Sequence, residues 1–235
     1  MGNLKSAIIV AGGNGLRMES DIPKQFIEVA GQPILMHTLQ KFYSYDNEMQ
    51  LILVLPEPHL DYWKKLCTRY DFNIKHSLIV GGSTRFESVL NGLKAANNTN
   101  IIAVHDGVRP LVSHKTIDAC FKAAAELGAA IPVTECIESL RQLTEHGSRS
   151  VDRSKFRAVQ TPQVFDSKLL KQAYEQAYSP LFTDDASVIE SFWLTSNANS
   201  NSKITLIEGN IDNIKITTKF DLAIAQLLLD KTNKQ

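Results

Sequence analysis

The chain has 235 residues, of which 43% are hydrophobic and 21% charged, a balance that belongs to a folded globular protein rather than a disordered one. Its 25 Lys+Arg match its 25 Asp+Glu, so it lacks the basic excess of a general nucleic-acid coat, although a local basic pocket is compatible with neutrality. Its three cysteines, Cys67, Cys120 and Cys136, form no CxxC pair, which argues against a zinc ribbon or a disulfide scaffold and for reduced thiols in a reducing compartment.

No signal-peptide pattern occupies Met1 to Ala11, and no apolar run reaches the roughly 20 residues of a membrane span. A soluble cytoplasmic protein is the expectation, with no nucleic-acid or membrane partner. Apolar runs at 7–11, 51–55, 77–80, 101–104 and 128–133 are continuous rather than alternating, as in strands buried on both faces. Helical patterns separate them at 34–45, 58–69, 84–97 and 114–127. This alternation predicts a mostly parallel, twisted sheet between helical layers, with right-handed crossovers.

The rhythm changes at 134–156, a polar stretch without helical period that predicts a β-hairpin arm returning near Ala158. Helical patterns resume at 166–178 and 184–193, followed by an Asn- and Ser-rich loop over 195–202. A strand at 203–208 and a helix at 219–230 close a single α/β domain spanning 1–235.

The first strand runs into Ala11-Gly12-Gly13-Asn14-Gly15-Leu16-Arg17-Met18. Glycines after a buried strand let backbone amides approach a phosphate. No Gly-Lys-Ser/Thr follows, so this is not a Walker A loop, and Met18 stands where a dinucleotide fingerprint needs its third glycine. Arg17 and Lys24 add two cations, which suits a triphosphate. Asp106 follows the strand at 101–104, at the strand end where open α/β sheets bind ligands, and a carboxylate there can hold Mg²⁺. Asp212 could supply a second carboxylate. Ser83 or Thr84 reads equally well as a helix cap. His37 and His105 show no metal-ligand spacing and read as structural.

The A-G-G-x-G-x-R-M loop followed by Pro23-Lys24-Gln25 resembles the signature of nucleotidyltransferases acting on sugar phosphates. Five further segments narrow the likeness: 81–89 (GGSTRFESV), 105–110 (HDGVRP), 160–163 (QTPQ), 183–187 (TDDAS) and 208–217 (EGNIDNIKIT). Together they resemble the 2-C-methyl-D-erythritol 4-phosphate cytidylyltransferase family, in order and over nearly the whole chain. The resemblance implies a three-layer α/β/α Rossmann-like nucleotidyltransferase fold with a protruding β-arm. It also implies transfer of CMP from CTP to 2-C-methyl-D-erythritol 4-phosphate, with release of pyrophosphate, in non-mevalonate isoprenoid precursor biosynthesis.

Carried over residue by residue, it implies Arg17, Lys24, Asp106 and Asp212 as catalytic, with Asp106 and Asp212 holding Mg²⁺. CTP would lie against Ala11, Gly12, Gly13, Asn14, Gly15, Gly81, Gly82, Ser83, Arg85 and Ser88. The acceptor would meet Arg109, Thr161, Thr183 and Lys215, together with Arg153 reaching in from a second subunit. Pairing within its own loop is the equal alternative for Arg109. A homodimer built through the 134–156 arm follows. The attacking acceptor phosphate is already anionic, so no general base is required. A ribitol 5-phosphate cytidylyltransferase is the alternative, a nicotinamide oxidoreductase is disfavoured by Met18, and a non-catalytic nucleotide sensor would not need the intact charged set.

Overall fold

The computed structural model describes residues 4–12, 22–196 and 202–232. In chain order, β1 (Lys5–Val10) is followed by a small ribbon of β2 (Glu28–Val29) and β3 (Gln32–Pro33), then α1 (Ile34–Tyr45), β4 (Gln50–Leu55), α2 (Leu60–Arg69), β5 (Ser77–Val80), α3 (Arg85–Ala95), β6 (Ile101–Asp106) and α4 (His114–Leu127). Next come β7 (Ala129–Glu135), β8 (Arg141–Thr144), β9 (Gly147–Ser150), β10 (Arg157–Val159), β11 (Gln163–Asp166), α5 (Ser167–Ala173), α6 (Asp185–Thr195), β12 (Thr205–Glu208) and α7 (Lys219–Thr232).

An eight-stranded sheet carries the fold, with β10-β7-β11-β6-β1-β4-β5 along its path and β12 added to β7. The pairs β1–β4, β1–β6, β4–β5 and β12–β7 are parallel, while β10 and β11 run antiparallel to their neighbours. The expected mostly parallel sheet is therefore present, with two antiparallel insertions.

The continuous apolar runs have a simple cause. Successive side chains of β1 point to opposite faces. Ala7 and Ile9 pack with Leu35, Leu39 and Phe42 of α1, Trp63 of α2 and Phe121 of α4. Ile8 packs with Val89 and Leu93 of α3, Leu170 of α5 and Ile189 of α6. Both faces of the strand are thus covered, giving the three expected layers. On a third cluster, Ala225 and Leu229 of α7 meet Val29, Ile34, Val108 and Ile216.

α1 and α4 coincide with the predicted 34–45 and 114–127. Ser113 caps α4 by accepting from the Thr116 amide, and Gly128 ends it in the left-handed region at φ 86°. The stretch read as a helix over 166–178 is corrected: β11 occupies Gln163–Asp166, Asp166 caps α5 through the Leu169 amide at 2.9 Å, and α5 ends at Ala173. The arm forms as expected from β8 and β9, with all eight of their residues exposed.

Candidate active site

Val10 of β1 pairs with Asp106 of β6, so the two strands end side by side. A cavity of about 370 Å³ opens there, and the start of α3 and the segment before α7 complete its wall. Ala11 is held by its amide on the Val54 carbonyl at 3.0 Å, and Gln25 Nε2 donates to the Ala11 carbonyl at 3.0 Å. Gly12 lies on the wall with open space where a Cβ would stand. Lys24, in the short 3₁₀ turn Lys24–Phe26, lines the same wall with Gln25. Gln25 is buried, and its Oε1 has no hydrogen-bond partner among the described residues. Gly13, Asn14, Gly15 and Arg17 lie outside the described residues.

The second wall is the turn from β5 into α3. Gly81 donates to the Leu55 carbonyl at 2.8 Å, and Gly82 donates to Ser88 Oγ at 3.1 Å. Thr84 is the N-cap, in a reciprocal capping box with Glu87, whose Oε2 also accepts from the Ser83 amide at 2.7 Å. These bonds, led by the Ser83 hydroxyl, hold the Glu87 carboxyl below its ordinary range. Ser83, Arg85 and Ser88 all line the cavity, so capping and lining are compatible. A Cβ on Gly82 would come within 2.2 Å of Glu87 Cβ, so this turn admits no larger residue.

Asp106 forms the floor. Its Oδ2 lies 3.1 Å from Arg109 Nε and 3.1 Å from Lys215 Nζ. Burial alone would raise this carboxyl, but the charges of Lys215, Arg85 and Arg109 outweigh it and keep the group well below the ordinary carboxylate range. Arg109 also donates to the Asn213 carbonyl at 2.7 Å, so it pairs within its own neighbourhood and does not line the cavity.

Behind Asp106 the proton positions follow from the partners. His105 Nε2 faces the Arg109 carbonyl at 3.1 Å, which can only accept, so Nε2 carries the proton. Nδ1 then accepts from the Thr161 hydroxyl at 3.0 Å, and Thr161 Oγ1 accepts the Asp106 amide at 3.1 Å. Burial lowers His105 to about 4, which keeps it neutral. Thr161, expected against the acceptor, is itself buried and off the cavity wall. Its hydroxyl braces the Asp106 backbone.

The expected pairing of Asp106 with Asp212 is not formed on this wall. Asp212 is exposed and off the cavity lining, because its neighbour Asn213 turns inward to donate to the Thr161 carbonyl at 2.8 Å. Thr183 is also exposed, just before α6, and is not part of the lining. Arg153 is exposed on the arm, donates to the Ile137 carbonyl, and borders a separate cavity of about 330 Å³. Sequence reasoning passed over Gln25, Val108 and Thr217 on the wall. Gln25 directly follows Lys24, and Thr217 stands two residues after Lys215, so spacing alone could have flagged both. Among the described residues, no cluster of three or more His, Cys, Asp or Glu side chains forms a metal cage.

The model of the IspD family, 2-C-methyl-D-erythritol 4-phosphate cytidylyltransferase, matches residues 6–231. The enzyme of that name from Bacteroides fragilis is 51% identical over 225 residues, covering 96% of this chain and 99% of its own. The crystal structure of 4-diphosphocytidyl-2C-methyl-D-erythritol synthase from Anaerococcus prevotii superposes with a TM-score of 0.80 at 30% identity, over 97% of this chain and 96% of that one. The cytidylyltransferase of Thermus thermophilus gives a TM-score of 0.75 at 28% identity, over 97% and 99%. With the family pattern running through the strand ends, the α3 turn and the Lys215 segment alike, this chain belongs to the 2-C-methyl-D-erythritol 4-phosphate cytidylyltransferase family.

Proposed function

We propose that the chain transfers CMP from CTP to 2-C-methyl-D-erythritol 4-phosphate, releasing pyrophosphate, in non-mevalonate isoprenoid precursor biosynthesis. The observation that carries this reading is a family match across residues 6–231, which takes in both the nucleotide-side and the acceptor-side segments. The same breadth disfavours the ribitol phosphate alternative, which would share only the nucleotide half.

The acceptor phosphate oxygen attacks the α-phosphorus of CTP, and the bond to the β-phosphate bridging oxygen breaks. The obstacle is electrostatic: two polyanions must meet, and charge builds on the α-phosphoryl group. Lys24 on the wall, together with Arg17, would neutralise that charge. The turn from Gly81 to Ser88 would take the base, its small residues exposing backbone groups to a pyrimidine edge. Lys215, pinned by Asp106, would meet the acceptor phosphate, and Arg153 would arrive from a second subunit.

Mg²⁺ dependence belongs to the same proposal. Asp106 is the carboxylate on the cavity wall, and three cations surround it, which suits a metal arriving on the triphosphate rather than one caged by the chain. Asp106 would hold the metal, which when bound would supply positive charge against the phosphates. A homodimer is supported by the arm's apolar exposure, Ile137 at 73% and Leu143 at 83%. No helix among the described residues is long and apolar enough to cross a membrane. A cytoplasmic location is part of the proposal, supported by the free thiols of Cys67, Cys120 and Cys136, which suit a reducing compartment.

The test is pyrophosphate release from CTP and Mg²⁺ with either acceptor. Release with methylerythritol phosphate and none with ribitol phosphate is expected. The reverse pattern would overturn the acceptor, and release with neither would overturn the reaction.

A further inference from the structure

A buried carboxylate beside the cavity has no part in the reaction as described. Asp185, the first residue of α6, is fully buried. Its Oδ1 accepts from an Arg85 terminal nitrogen at 2.9 Å and from the Tyr174 hydroxyl at 2.6 Å, while Oδ2 accepts from the other Arg85 terminal nitrogen at 2.6 Å. The backbone is fixed as firmly: the amides of Asp185 and Ala186 both donate to Gln163 Oε1 at 2.9 Å, and Gln163 Nε2 donates to Asp184 Oδ2 at 2.9 Å. Phe86, next to Arg85, stacks on Tyr174 with ring centroids 4.6 Å apart.

This bidentate pair joins two segments far apart in sequence. Arg85 lines the cavity and opens α3, directly after the turn read above as the nucleotide wall. Asp185 stands two residues after Thr183, on the acceptor-side segment. If only cohesion were needed here, well-packed apolar side chains would serve as well or better than a buried ion pair. A fork-on-carboxylate pair adds direction, because its two parallel bonds fix the plane of the guanidinium.

We propose that Asp185 is a positioning residue that, clamped by Tyr174 and Gln163, locks Arg85 and so holds the nucleotide turn in register with the segment carrying Thr183. The inference rests on the cytidylyltransferase reading. It assigns Asp185, Tyr174 and Gln163 no contact with substrate.

Asp185→Asn keeps the size of the side chain and the Tyr174 bond but loses the charge that grips Arg85. Steady-state pyrophosphate release should show KM rising roughly ten-fold for CTP and for methylerythritol phosphate together, in protein that still unfolds cooperatively. Tyr174→Phe removes one bond to Asp185 and serves if Asp185→Asn does not fold. It should raise both KM values in the same proportion to each other, by about two- to five-fold. Unchanged KM values with only a lower melting temperature would make the pair a structural brace and overturn the proposal. A rise for CTP alone would also overturn it, since the register would then not reach the acceptor side. Wild-type protein run alongside separates the two levels. If it shows no turnover, the functional reading fails, and calorimetric titration of CTP into wild type and Asp185→Asn still decides whether the carboxylate holds the nucleotide turn. Equal CTP affinities, or no CTP binding by either protein, would sink the proposal.

Discussion

Lys24 and His105 show how differently two ionisable side chains serve one cavity. Lys24 stands on the wall, and in the proposed reaction its ammonium would need only to be near the phosphates. Lys24→Ala should leave the fold intact and lower kcat by about 10²–10³, the usual cost of one charge at a transferring phosphoryl group. Turnover near wild type in a folded variant would remove Lys24 from the reaction.

His105 acts by staying neutral. Its folded value near 4 lies below the 6.5 of the free side chain, so between those values the unfolded chain binds the extra proton. Stability is therefore full above about 6.5 and drains away as pH falls toward 4, on the order of 3 kcal/mol for this group alone. Asp106 extends the loss at still lower pH, since its carboxyl is also held down in the folded state. His37 and His76 shift in the same direction, so the share of His105 is read by difference. Urea denaturation from pH 7.5 to 5 should show a shallower fall for His105→Gln than for wild type. Parallel lines would mean that His105 is not held neutral by its burial.

Among elements, those with strong local signals were legible and those defined by distant partners were not. α4 has a Ser cap, an amphipathic run and a Gly stop within its own sequence, so its limits could be read directly. β11 is four residues long and owes its state to β6 and β7 on either side, which no local pattern records. The helix after it stops early because Tyr174, its C-cap, is buried with its hydroxyl on Asp185. At the site, the residues that line the cavity through main-chain or charged groups were readable from motifs. No local pattern records that Thr161 is buried and Asp212 exposed, because the inward turn of Asn213 onto the Thr161 carbonyl joins two segments far apart in the chain. The α3 turn gives the prediction at this scale. In Gly82→Ala the new methyl meets Glu87 Cβ, backbone-anchored and unable to swing aside. The variant should lose about 1–3 kcal/mol of stability and most of its CTP affinity, read by denaturation and calorimetry. Full CTP affinity would show that the turn can open without harm.

For the whole molecule, the arm decides whether the site is complete within one chain. Arg153 borders its own small cavity, away from Lys24 and Asp106. If it serves a partner's cavity, Lys24→Ala and Arg153→Ala damage opposite sides of one shared site. Each variant alone should be nearly inactive. Refolded together in equal amounts, they should recover about a quarter of wild-type turnover, because half the dimers carry one intact site. Recovery no greater than the sum of the separate variants would confine Arg153 to its own chain.

Lys215 and Thr217 reach the cavity from beyond β12, whereas Lys24, Gly82 and Asp106 come from earlier in the chain. A ribosome therefore delivers the Asp106 carboxylate long before the lysine that sits 3.1 Å from it. Until that late segment emerges and docks, Asp106 has Arg109 beside it, and the pocket lacks one cation and part of its wall. The cavity gains its last cation and closes its wall only when the distal part of the chain has been made and folded back, so the site is among the last parts of the molecule to be completed.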